Sequence, residues 1–337
     1  MQNQSYTFQD LKSNVEVKWC AGCGDHAVLN ALQKAMPQCG IPIEKLVIVS
    51  GIGCSSRLPY YMNTYGMHTI HGRAAAIASG VKSANPDLSV WQVTGDGDCL
   101  AIGGNHFIHA VRRNIDINIL LFNNEIYGLT KGQYSPTTQK GQITKSSPMG
   151  TIEMPFNPGE LTLGARGTFF ARAVDNNINH CTEVMVEAEK HKGTSVVEIL
   201  QNCVIFNNGA HEYISNRIEK DDRQLLLEQG KPMIFGKERN KGLILKNLNL
   251  EVVTIGENGI TEKDILVHDA TTENAVLHHL LITMKAPEQP IAFGVIRNVS
   301  AETYNDALDN QIETAKAKSK ITCMDELFVS GETWEIK

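Results

Sequence analysis

Residues 88–98 read LSVWQVTGDGD and residues 115–126 read IDINILLFNNEI. Each is a short apolar run rich in β-branched residues. The first stops on Gly95-Asp-Gly-Asp98 and the second on Asn123-Asn124. Such runs predict buried strands over Leu88–Thr94 and Ile115–Phe122, each ending in a polar loop. Three more runs have the same character: Leu46–Ser50, followed by Gly51-Ile-Gly-Cys54, then Phe169–Val174 and Ser195–Leu200. Between them lie helix-like stretches at His26–Met36, preceded by Asp25 as a cap, and at Arg73–Ala84, His106–Arg113 and Thr182–Lys192. Strands alternating with helices in this way predict an α/β fold, a doubly wound and mostly parallel sheet covered on both faces.

In open α/β sheets, ligands bind at the carboxyl ends of the strands. The loops at Gly51, Gly95 and Asn123 therefore converge on one crevice. Ordinary βα turns also favour Gly, Asp and Asn, so it is their convergence that carries the argument.

A chain of 337 residues has ample length for a buried core. With 42% apolar and 20% charged residues it has the composition of an ordinary globular protein. A net charge of −6, spread along the chain, lacks the basic stripe that nucleic-acid binding requires. No apolar stretch approaches the ~20 residues of a membrane span. The start has neither the basic nor the apolar region of a secretory signal. The expectation is a cytoplasmic protein whose eight cysteines are buried, metal-bound or reactive rather than paired.

Holding a diphosphate through a divalent cation requires a hard oxygen donor, close backbone approach and a further carbonyl or amide oxygen. Asp96 supplies the carboxylate, and Gly97 lets the chain turn beside phosphates without a Cβ. One βαβ step separates this loop from Asn124. The pairing resembles the GDG…NN motif of thiamine-diphosphate enzymes. That resemblance implies Mg²⁺ held by Asp96, the side chain of Asn124 and the backbone carbonyl of Ile126, with Gly97, Asp98, Gly128 and Leu129 against the cofactor.

Trp19-Cys20-Ala-Gly-Cys23-Gly-Asp-His26 holds a Cys-x-x-Cys that by itself fits a zinc half-site or a redox dithiol. A cubane cluster needs four thiolates. Cys54 and Cys203, both at element boundaries, complete the set, with zinc on the same four ligands as the alternative. Cys39, Cys99, Cys181 and Cys323 are read as ordinary buried or isolated thiols.

The succession WCAGCGDH, GIGCSSR, HTIHGRA, TGDGD and NNEIYGLTKGQYSPTT closely resembles the β subunits of 2-oxoacid:ferredoxin oxidoreductases. The resemblance covers about residues 15 to 210. It implies a thiamine-diphosphate-binding fold of the diphosphate-binding type over 1–210, with a C-terminal extension over 211–337. It further implies Mg²⁺, thiamine diphosphate, a [4Fe-4S] cluster and coenzyme A as co-substrate. The activity implied is CoA-dependent oxidative decarboxylation of a 2-oxoacid to acyl-CoA and CO₂ with reduction of ferredoxin. His71, Gly72, Arg73 and Ala74 then line the thiamine site, and Ile52, Gly53 and Ser55 flank Cys54 between cofactor and cluster. Lys131 is the candidate anchor for a substrate carboxylate or for coenzyme A, with an exposed surface lysine as the plainer explanation.

The glutamate that faces the aminopyrimidine ring is expected on an α subunit, or on a fused γα chain, in a heterotetramer. The Gly-Leu-Thr-Lys-Gly-Gln-Tyr-Ser-Pro-Thr-Thr segment favours 2-oxoglutarate, with pyruvate the alternative. Two readings from other classes compete: a non-oxidative thiamine-dependent decarboxylase or synthase, and an electron-transfer module without carbon chemistry. After Ala210 no catalytic signature appears, and residues 301–320 predict an exposed helix.

Overall fold

The structure is a computed structural model describing residues 6–336. Helix α1 (Asp25–Gln38) leads into β1 (Leu46–Ser50), β2 (Tyr65–His68), α2 (Ala74–Ala84) and β3 (Ser89–Gly95). One helical turn, α3 (Asp96–Leu100), precedes α4 (Gly104–Arg113) and β4 (Asn118–Asn123). Then come α5 (Pro158–Gly164), β5 (Phe169–Val174), α6 (Ile178–Lys190) and β6 (Ser195–Leu200). The extension adds the short helices α7 (Glu212–Ser215) and α8 (Lys220–Arg223) and the strands β7 (Gln224–Leu226), β8 (Ile234–Phe235), β9 (Lys241–Lys246) and β10 (Asn249–Thr254). It ends with α9 (Val276–Ile282), β11 (Ile291–Asn298), α10 (Tyr304–Lys318) and α11 (Met324–Phe328).

The main sheet has the order β2-β1-β3-β4-β6-β5-β11-β7, and every neighbouring pair is parallel except β11 with β5. The apolar strand runs are continuous because both faces are covered. Val47, Val49, Val90, Ile119 and Leu121 face one layer with Ala75 and Ala78 of α2 and Phe107 and Val111 of α4. Their neighbours Ile48, Trp91, Val93, Leu120 and Phe122 face the other, with Val28, Leu32 and Met36 of α1 and Val184 and Met185 of α6. The period-2 alternation of a strand thus divides one apolar run between two cores.

β1, β5 and β6 have the bounds that the sequence predicts. β4 starts three residues later than expected. Asn114 closes α4 in the left-handed conformation, φ 53°, and the N–H of Ile115 bonds back to the carbonyl of Ala110, so residues 115–117 complete the helix exit. Asp25 is not the cap of α1: Gly24 holds that position, and Asp25 is the first helical residue, turned inward.

β7 and β11 extend the main sheet from beyond residue 210, and β10-β9-β8 form a separate antiparallel sheet. Helix α10 lies within the stretch expected to form an exposed helix, and most of it is exposed. Among the described residues no helix is long and apolar enough to cross a membrane.

Candidate cofactor site

Strand register builds the site. Gly95 pairs with Phe122, so Asp96 and Asn123 leave the sheet side by side. Asn123 pairs with Leu200, so Asn124 and Gln201 leave it together as well. Ser50 pairs with Val93, which brings the Gly51–Cys54 loop to the same edge.

Asp98 ties these loops together. Its Oδ1 accepts the backbone N–H of Ile52 at 3.1 Å and of Gly72 at 2.7 Å, and its Oδ2 accepts the hydroxyl of Thr94 at 3.0 Å. Two glycines make this possible. A Cβ on Gly51 would sit 1.8 Å from Asp98 Oδ2, and a Cβ on Gly72, where φ is +63°, would sit 2.5 Å from the backbone nitrogen of Gly103.

Asp96 is buried, and its Oδ2 accepts the hydroxyls of Ser135 and Thr137, each at 2.5 Å. Burial nevertheless pushes its carboxyl up to about 6, because the hydroxyls only partly replace water. The single Thr137 proton is shared between Asp96 Oδ2 and Asn123 Oδ1, 2.9 Å away, while Asn123 Nδ2 donates to Glu198, which forms a buried ion pair with Arg172 at 2.7 Å. Asn124 donates Nδ2 to Gln201 Oε1 at 2.8 Å and accepts the N–H of Ile126 on Oδ1 at 3.2 Å.

A cavity of about 500 Å³ opens over these loops. Its walls include Ile52, Gly53, Cys54, Ser55, His71, Asp96, Gly97, Asp98, Asn124, Ile126, Gly128 and Leu129. Gly72, Arg73 and Ala74 are not among its lining residues: Gly72 is held by Asp98 behind the wall, and Arg73 and Ala74 begin α2. A Cβ on Gly97 would fall 2.1 Å from the ring of Tyr127, whose hydroxyl donates to the Gly97 carbonyl at 3.1 Å.

A second cavity of about 300 Å³ adjoins the first, and Cys20, Cys23, Cys54 and Cys203 all line it. Cys54, Asn124, Gly128 and Leu129 belong to both walls. The cysteines come from the turn before α1, the end of β1 and the end of β6. The Trp19 indole N–H fixes the Cys54 carbonyl at 2.6 Å, and His26 Nε2 contacts the Cys20 carbonyl at 3.2 Å. A Cβ on Gly128 would lie 3.4 Å from Cys203 Sγ and 3.7 Å from Cys54 Sγ, so glycine keeps the space between the thiols open. Burial pushes the Cys54 thiol up to about 12. Cys39, Cys99, Cys181 and Cys323 line neither cavity. Lys131, at φ +78°, stands on the wall of the thiol cavity rather than over the Asp96 loop.

Sequence reasoning missed Ser135, Thr137, Gln201 and Asp25. Asp25 is 1% exposed, neither of its carboxylate oxygens has a hydrogen-bond partner, and burial pushes it up to about 7. The available signals were the hydroxyl run of Ser-Pro-Thr-Thr and two polar residues set beside Cys23 and Cys203.

Residues 51–199 match the family model for the thiamine pyrophosphate enzyme, C-terminal TPP binding domain. The chain is 45% identical to the 2-oxoglutarate oxidoreductase subunit KorB of Mycobacterium tuberculosis, over 97% of this chain and 88% of that protein. It is 44% identical to the 2-oxoacid:ferredoxin oxidoreductase 1 subunit beta of Aeropyrum pernix, over 62% of this chain and 66% of the relative. A solved structure of 2-oxoglutarate:ferredoxin oxidoreductase from Magnetococcus marinus, with 2-oxoglutarate, coenzyme A and succinyl-CoA bound, superimposes with a TM-score of 0.78 at 30% identity, covering 98% of this chain and 97% of that one. A relative that matches along nearly the whole length, with a cavity built on the Asp96 and Asn124 loops, places this chain in the family of 2-oxoacid:ferredoxin oxidoreductase β subunits.

Proposed function

We propose that this chain is the β subunit of a 2-oxoglutarate:ferredoxin oxidoreductase and that it holds Mg²⁺, thiamine diphosphate and a [4Fe-4S] cluster. The observation that carries the proposal is the shared wall: Cys54, Asn124, Gly128 and Leu129 border both the cavity over Asp96 and the cavity ringed by four cysteines. A non-oxidative decarboxylase has no use for the second cavity, and an electron-transfer module has none for the first.

The residues fit the groups. Asp96 is a buried carboxylate short of solvation, which a hard cation would relieve. The side chain of Asn124 and the carbonyl of Ile126 would complete the protein's share of the ligands. A single zinc ion holding four thiolates at about 2.3 Å would draw the sulfurs to within about 4 Å of one another. All four thiols line one cavity of about 300 Å³ that adjoins the cavity over Asp96, where an electron acceptor has a use and a redox-silent zinc has none.

When bound, thiamine diphosphate supplies carbanion chemistry and the cluster supplies one-electron transfer, which together meet the needs of oxidative decarboxylation to acyl-CoA and CO₂. The chain's own part is position and exclusion of water. Ile52, Ile126 and Leu129 make much of the first cavity apolar. The Asp98 carboxylate holds the Ile52 and Gly72 loops against it. Lys131, on the wall of the thiol cavity beside the shared residues Gly128 and Leu129, is our candidate cationic anchor for a substrate carboxylate or for coenzyme A. Ile102 and Leu129 line the cavity while 59% and 45% exposed, a mouth suited to cover by the α subunit that brings the missing glutamate. All eight cysteines are free, and a reducing cytoplasm is the compartment this reading proposes.

The test is anaerobic purification with the co-purifying partner, followed by assay of iron, acid-labile sulfide and thiamine diphosphate. Four irons and one thiamine diphosphate per β chain, with cluster absorbance bleaching on 2-oxoglutarate and coenzyme A, are expected. Bleaching by pyruvate alone would replace the substrate. Thiamine without iron would indicate a non-oxidative enzyme, and iron without thiamine an electron-transfer module.

A further inference from the structure

Gln201 is fully buried at the end of β6, and its amide bridges the two cavities. On one side Oε1 accepts from Asn124 Nδ2 at 2.8 Å. On the other, Nε2 donates to Cys23 Sγ at 3.4 Å and to the Asn202 carbonyl at 2.5 Å. The Asn202 carbonyl can only accept, so it fixes which end of the amide carries nitrogen, and Asn124 Nδ2 can only donate, so it fixes the other. We propose that Gln201 is a positioning residue that acts on both cofactors at once: it turns Asn124 so that Oδ1 is available to the cation, and it donates a hydrogen bond to a cluster sulfur. This rests on the assignment of Mg²⁺-thiamine diphosphate and a [4Fe-4S] cluster made above.

The two effects follow from different ends of one amide. Held by Gln201, Asn124 cannot flip its nitrogen toward the cation, and partners of this kind typically govern metal affinity by about 10- to 100-fold. An N–H directed at a cysteine sulfur stabilises the added negative charge of the reduced cluster, and so raises its reduction potential. Gln201 Nε2 is the amide donor directed at Cys23 Sγ.

Two substitutions separate the ends, tested in the complex with the partner subunit. Gln201→Glu keeps an acceptor for Asn124 and loses the N–H on Cys23. Gln201→Met fills similar space and loses both. The readouts are the cluster's midpoint potential, by redox titration followed by electron paramagnetic resonance, and the dissociation constant of Mg²⁺-thiamine diphosphate by fluorescence quenching. Both variants should show a lower potential than wild type. Only Gln201→Met should bind Mg²⁺-thiamine diphosphate about 10-fold or more weakly. An unchanged potential in both variants, with the cluster intact, overturns the inference while leaving the function standing. Equal loss of cofactor affinity in both overturns the orienting role on Asn124. A wild-type complex without cluster or without thiamine diphosphate overturns the inference together with the function on which it rests.

Discussion

Asp98 Oδ1 accepts the backbone N–H of Gly72 at 2.7 Å while the same oxygen holds Ile52 at 3.1 Å. Asp98, one of the two aspartates of the Gly-Asp-Gly-Asp loop, therefore has its carboxylate committed to the protein. Removing it leaves the buried N–H of Gly72 and the half-buried N–H of Ile52 without their acceptor. Asp98→Ala should destabilise the chain by roughly 2–4 kcal/mol, since bonds to a charged acceptor are the strong ones. The check is the urea midpoint of the purified chain, and a midpoint equal to wild type would show that the loops hold without Asp98.

Asp96 should behave in the opposite way. Its carboxyl is pushed up to about 6 by burial, so in the cofactor-free chain at neutral pH it is a charge held at a cost. Asp96→Asn removes that charge and can still accept from Ser135 and Thr137. We expect stability at pH 8 at least equal to wild type and no measurable Mg²⁺-dependent binding of thiamine diphosphate in calorimetry. Retained binding would take Asp96 out of the cation site.

The same group sets a pH dependence whose sign can be worked out. A carboxyl raised from 3.8 to about 6 on folding keeps its proton in the native state while the unfolded chain has lost it. Between about pH 4 and 6 stability must therefore fall as pH rises, by roughly 3 kcal/mol for a two-unit shift. Asp25 and Glu125, each raised to about 7 by burial, act in the same direction up to about pH 7. The cofactor-free chain should thus have a higher denaturation midpoint at pH 5 than at pH 8, and Asp96→Asn should narrow that difference. Stability rising over this window would show that these groups are ionised from the start.

The central strands were legible because each had to be apolar on both faces, and β1, β5 and β6 fell at their predicted limits. β2 was not legible, since Tyr65-Gly-Met-His68 is largely exposed on the sheet edge and carries no apolar run. β11 was missed for a different reason: Ile291-Ala-Phe-Gly-Val-Ile296 has the composition of a buried strand but lies beyond the alternating region. Of the candidate site, the glycine turns, the Asp96 carboxylate and the four thiols could be proposed from spacing and motif, but the carboxylate of Asp25 could not. Gln201 and Thr137 could not, because an amide or hydroxyl acquires its role only from the register of β4 against β6 and the fold of the 124–138 loop. Asp98 lines the cavity that the motif marks, and spacing could not show that its carboxylate also holds two loops.

The cysteines permit a test in which two chemically identical changes should part. Cys54 lines both cavities, and its Sγ and that of Cys203 both lie within 3.7 Å of where a Cβ on Gly128 would sit. Cys39 follows α1, and its thiol donates to the Ala35 carbonyl at 3.3 Å, as helical geometry allows any free cysteine to do. A cluster held by four thiolates cannot keep its normal ligation with three, whereas loss of one half-buried thiol far from the cavity costs only local packing. Cys54→Ala should lose most of its iron and acid-labile sulfide along with the visible absorbance of the cluster, and Cys39→Ala should match wild type in all three. Equal loss in both variants would mean that iron retention reports general stability, and retention in both would move the fourth ligand away from Cys54.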